Sequence, residues 1–89
     1  MQRFFLHSLR SALLLRDHCG ADFADVDAAV SNAQALAADL FIEGMEVGED
    51  RSRWRLLVAD EAGHEIAQVT MQGTVKTVRP ARRYTPVRA

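Results

Sequence analysis

The stretch RWRLLVADEAGHEIAQVTM, residues 53–71, decides the fold. Trp54, Leu56 and Val58 alternate with Arg55, Leu57 and Ala59, the period of a strand whose successive side chains point to opposite faces. The run breaks at Asp60-Glu61-Ala62-Gly63, where the glycine can take the left-handed conformation that closes a short hairpin loop. A second strand follows. Within it Ile66 and Val69 fall on opposite faces, which predicts a bulge or a shifted register near Gln68.

Upstream the period changes. Val26, Ala29, Val30, Ala33, Leu36, Ala37, Leu40 and Phe41 recur every three or four residues, the mark of one amphipathic helix. Asp25 is placed to cap it, because its carboxylate can accept the free N–H groups of the first turn, and Asp27 complements the positive end of the helix dipole. Gly44 and Gly48 mark its exit. The alanines on the buried stripe let the helix axis lie close to whatever it covers.

Before the helix, Arg3 to His7 and Leu13-Leu14-Leu15 flank a break at Ser8 to Ser11, which fits two short strands in a hairpin. A helix competes here, since Phe5, Leu9, Ala12 and Leu13 also share a helical face. The expected architecture is a single α+β domain over residues 1–75. Its order is β-β-α-β-β, with a four-stranded antiparallel sheet on one helix and Thr74 and Val75 extending the last strand. Residues 76–89, KTVRPARRYTPVRA, read as a flexible basic tail in which Pro80 and Pro86 end regular structure.

In that order the residues resemble a family of short bacterial proteins known only as a domain of unknown function. The resemblance rests on the Arg3-Phe4-Phe5-Leu6-His7 strand, the Asp17-His18-Cys19-Gly20 turn and the Asp-capped helix from Asp25-Val26-Asp27-Ala28-Ala29 to Ala33. The Trp54 to Val58 strand and the Asp60-Glu61-Ala62-Gly63 turn complete it. It covers about residues 2–71. Members carry an Asp-Gly turn where this chain has Ser8 to Ser11, and the basic tail lies outside the pattern. The resemblance implies the fold and no activity.

Eighty-nine residues make one domain, 48% hydrophobic and 26% charged, which excludes disorder over most of the length. One cysteine forms no internal disulfide, so the fold does not require an oxidising compartment, and a cytoplasmic location is expected. Arg3, Arg10 and Arg16 with two serines faintly suggest a transit peptide, and no stretch approaches the roughly 20 apolar residues of a membrane span. The net charge of −1 hides an asymmetry: residues 1–75 hold all twelve acids and six bases, whereas residues 76–89 hold five bases and no acid.

Candidate chemistry is sparse. A reactive Cys19 would need a lowered pKa and a base in reach, yet His18 is its direct neighbour in sequence, and adjacent side chains of an extended chain point apart. Asp17 and Gly20 make a turn instead, the carboxylate bonding the backbone ahead. Histidines at 7, 18 and 64 with one cysteine do not form a zinc site, and Asp22, Asp25 and Asp27 lack the glycine and closing glutamate of a calcium loop. No cofactor motif is present.

The strands carry more. Phe4-Phe5-Leu6, Leu13-Leu14-Leu15 and Leu56-Leu57-Val58-Ala59 are apolar on both faces, and one helix covers one face. The expected function is therefore a non-enzymatic interaction or regulatory module that self-associates as a homodimer, with Phe5, Leu14 and Leu57 on the contact face. The alternative is nucleic-acid binding through the tail, with Lys76, Arg79, Arg82 and Arg83 on phosphates and Tyr84 stacked on a base. A thiol-dependent enzyme using Cys19 and a histidine ranks third. Asp17, Gly20, Asp25 and Gly63 are read as structural turns and cap.

Overall fold

The computed structural model describes residues 1–78. The chain forms β1 (Gln2–Arg10), β2 (Leu13–Leu15), β3 (Ala21–Phe23), α1 (Val26–Glu46), β4 (Arg55–Ala59), β5 (Glu65–Thr70) and β6 (Val75–Thr77). One helix lies against an antiparallel sheet, as the periodicities predict. The sheet has six strands rather than four, in the order β2-β1-β4-β5-β6, with β3 also paired to β1. The two additional strands, β3 and β6, are three residues each and owe their extended form to the neighbours they pair with.

β1 is longer than its sequence suggests. Ser8, Leu9 and Arg10 continue the strand because Ser8 and Leu9 pair with Leu56 and Arg55 on one side, while all three pair with Leu15, Leu14 and Leu13 on the other. The reversal is Ser11-Ala12, with Ser11 in the left-handed region at φ 57°. β2 and β3 then run along the same edge of β1, one at each end. Between them the chain leaves the ladder, and Asp17 fills the gap. Its Oδ2 accepts the Leu6 N–H at 3.1 Å, and its Oδ1 accepts from Cys19 and Gly20 at 3.1 and 3.0 Å. A side chain thus stands in for the missing strand backbone.

The hairpin of β4 and β5 closes at Gly63, φ 85°, with Asp60 Oδ1 accepting the His64 N–H. The bulge expected near Gln68 falls at Ile66, since Val58 pairs with Ala67 and Ala59 with Glu65. This places Ala67 and Val69 opposite Val58 and Leu56, so all four face the helix and are buried.

The helix begins at Asp25, whose carboxylate accepts the Ala28 N–H at 2.9 Å. Ala29, Ala33 and Ala37 lose all solvent contact against the sheet, where Phe4, Leu56, Val58 and Val69 form the centre of the core. The helix runs through Gly44 to Glu46, and Val47 and Gly48 close its end. Gly48, φ 75°, donates to Met45 O and Glu49 donates to Gly44 O, the paired bonds of a glycine-terminated helix. Gly44 is buried in the last turns because Arg51 folds over it: an added Cβ would lie 2.7 Å from Arg51 Cδ and 2.8 Å from Glu49 O.

Candidate functional site

Cross-strand register assigns side chains to faces, because residues directly opposite in an antiparallel pair project the same way. The covered face carries Phe4, Leu6, Leu56, Val58, Ala67 and Val69. The other face reads in rows. Leu14, Leu9, Arg55 and Thr70 make one, His7, Leu57, Gln68 and Lys76 the next, and Phe5, Ala59 and Glu65 the third, with Arg3 opposite Asp22 at one end. The helix contacts β3, β4 and β5 from the covered side, and among the described elements no other layer lies over this open face.

Phe5, Leu14 and Leu57 therefore share one surface. Leu14 is the direct neighbour of Leu9, and Phe5 and Leu57 flank His7, one along the strand and one across it. The Phe5 and His7 rings are nearly parallel, with planes at 13° and centroids 6.4 Å apart. Phe5 also covers Gly20, where an added Cβ would meet its ring at 2.8 Å. The His7 ring is pinned, because its Nδ1 accepts the Asp17 N–H at 2.9 Å. Sequence reasoning missed this contact, which spans ten residues and depends on the strand break at Asp17.

At the sheet's edge Leu13, Leu14 and Leu15 are 57%, 36% and 40% exposed, three leucines in a row on an unpaired strand edge. The other edge segments are guarded: β3 carries Asp22, ion-paired to Arg3 at 3.2 Å, and β6 carries Lys76. Lys76 is thus a sheet residue. Arg79, Arg82, Arg83 and Tyr84 lie outside the described residues.

Charge on the open face is arranged in contacts. Arg55 Nη1 donates to Gln68 Oε1 at 3.3 Å and Gln68 Nε2 donates to Glu65 Oε2 at 2.7 Å, so Glu65 is engaged, while Lys76 stands exposed beside Gln68. Burial pushes the Asp17 carboxyl up, but the three backbone donors Gly20, Leu6 and Cys19, with His7 nearby, outweigh it and hold the group below its ordinary value. Arg51, on the helix side, is held still more firmly protonated by hydrogen bonds to Glu43 and Glu49, both 2.7 Å, and it lies over the Trp54 ring with Arg10.

Cys19 is exposed, its N–H given to Asp17 and its carbonyl accepting from Arg3 Nη1. The His7 nitrogen nearest this loop is already occupied by the Asp17 N–H. Among the described residues no group of three or more metal-ligating side chains converges, and no helix is long and apolar enough to cross a membrane.

The elements from β1 through β5 are the matched part of a family model, the domain of unknown function DUF6894, over residues 3–72. The chain belongs to this family. No curated protein and no solved structure matches it.

Proposed function

We propose that this chain is a small non-enzymatic interaction module that self-associates through its sheet and presents the open face, with Phe5, Leu14 and Leu57, as its contact surface. One observation carries the reading: the face that the helix leaves open keeps an apolar patch of Leu14, Leu9, Leu57 and Phe5 among its polar rows. The leucine edge β2 supports self-association, because an unprotected apolar edge pairs with another strand, and a second copy supplies a matching one. Light scattering on the full chain tests it. A dimer that becomes a monomer in Leu14→Lys, with the far-ultraviolet dichroism unchanged, supports the reading, and a monomeric wild-type chain at all concentrations refutes self-association. A chain ending at Val78 removes the tail and keeps β6 intact, so the same measurement shows whether the contact belongs to the sheet.

A further inference from the structure

The acidic residues are segregated. From Asp25 to Asp50, the helix and its flanks, the chain holds seven acids and no base, and all seven side chains are exposed. The helix lies on the covered face, so this charge sits on the far side of the sheet from Phe5 and His7. On the open face Asp22 is paired to Arg3 and Glu65 is engaged by Gln68, which leaves Arg55 and Lys76 as its exposed cations. β6 then leads into residues 79–89, which add four arginines and a tyrosine without an acid. The acidic balance of the domain as a whole, which argues against a polyanionic ligand, is thus confined to one side of it.

Two aromatic rings on the interior strand β1, near-parallel and partly exposed, with Arg55 in the row beside His7 and Lys76 at the far end of the His7 row, are the parts of a stacking platform. Every base has a π-face, so such a platform takes unpaired bases without reading their sequence, while basic side chains follow the phosphates. The pinned His7 ring and the Phe5 ring seated on Gly20 are ordered before any ligand arrives, which reduces the entropy lost on binding.

We infer that the open face binds single-stranded nucleic acid, with Phe5 and His7 stacking on bases and Arg55 and Lys76 on phosphates. The inference rests on the reading of this face as a contact surface and names its ligand; self-association then runs through the leucine edge β2, which leaves the Phe5 and His7 rings free to stack. A duplex is a poor fit, because its bases are stacked on one another and unavailable to the rings.

The test is fluorescence anisotropy of the full chain with a labelled oligothymidylate of about 12 nucleotides, within the usual site sizes of such platforms. Binding should weaken with salt. Phe5→Leu keeps an apolar side chain over Gly20 and removes the ring, and should weaken binding about 5- to 150-fold, the loss of one stacked base. Lys76→Gln, on an exposed strand residue, should lower the slope of log K against log salt by about 0.7, one phosphate on a single strand. No binding by the wild-type chain at low salt overturns the inference, as does equal affinity for a duplex of the same length. Binding that Phe5→Leu and Lys76→Gln leave unchanged also overturns it, and moves the site to the C-terminal arginines. Light scattering on the same samples separates the two readings: a dimer that ignores the oligonucleotide overturns the ligand and leaves the module standing.

Discussion

Two chemically identical neighbours on one strand have opposite surroundings on the two faces of the sheet. β4 reads Arg55-Leu56-Leu57-Val58-Ala59, and Leu56 and Leu57 are the pair. Leu56 is 1% exposed beneath the helix, whereas Leu57 stays partly exposed among His7, Gln68 and Lys76. Stability resides on the covered face and leaves the open one free for contact. A substitution on the first face should be felt in folding, and one on the second in association.

The sharpest way to break this comparison is to make the same change on both sides. Leu56→Ala should destabilise the fold by about 2–5 kcal/mol, the transfer loss plus an unfilled cavity between Val58, Val69 and the helix alanines. In a domain of this size, with roughly 4–13 kcal/mol of stability in all, that is a large fraction of it. Leu57→Ala should shift the urea midpoint far less and should weaken self-association or ligand binding instead. Equal losses from the two variants would show that Leu57 supports the fold as Leu56 does, and would remove it from the contact surface.

The next effect is on the helix side. Gly44→Ala should cost about 1–3 kcal/mol, because the new methyl group has no room between Arg51 and the Glu49 carbonyl in a closely packed site. Gly48→Ala meets no atom within 4 Å, so its penalty is only that of a left-handed backbone, roughly 1–2 kcal/mol. Comparing the two thermal midpoints separates crowding from dihedral strain at the same helix end.

Much of this was legible beforehand, and the parts that were not share a cause. The helix and the β4–β5 hairpin carry their own signals: Asp25 caps its own helix, and Gly63 closes its own turn. β3 and β6 carry none. Ala21-Asp22-Phe23 is extended because it pairs with Gln2, Arg3 and Phe4, some twenty residues away in sequence, and Val75-Lys76-Thr77 because it pairs with β5. Ser8-Leu9-Arg10 looks like a polar break until β2 and β4 close on both its sides. Gly44 reads as a helix stop, and only the fold brings Arg51 over it. For the candidate surface, alternation assigned Phe5 and Leu57 to one side of their strands, but the His7–Asp17 contact and the placement of the helix acids on the far side both require the tertiary register.

The open face depends on one carboxylate at its edge. Asp17 has a lowered pKa in the folded chain, relative to an ordinary value of 3.8, so its contribution to stability is present above that value and is lost as the pH falls through the folded pKa. Asp17→Asn should therefore cost about 1 kcal/mol near neutral pH, below the usual range for hydrogen bonds to a charged group because solvent reaches and screens the site. It should cost nothing once the pH lies below the folded value. Urea unfolding at neutral and acidic pH tests this, and an equal loss at both would show that the carboxylate's charge is not what holds the loop. Since the Asp17 N–H also pins His7, amide exchange at residue 17 should report the loosening of the platform directly.

The smallest effect concerns the turn that places the leucine edge. Ser11 adopts φ 57° between Arg10 and Leu13, a left-handed conformation that costs a side-chain-bearing residue roughly 1 kcal/mol. Glycine relieves that strain and gives back about half of it in added freedom of the unfolded chain, so Ser11→Gly should stabilise the domain by about 0.5 kcal/mol. Because the turn lies outside the leucines it sets in register, the gain should appear in the urea midpoint and leave the dimer affinity unchanged. A tighter dimer in Ser11→Gly would instead mean that β2 is only partly formed in the free chain and is completed by the second copy, which would move part of the fold's stability from the covered face to the contact edge.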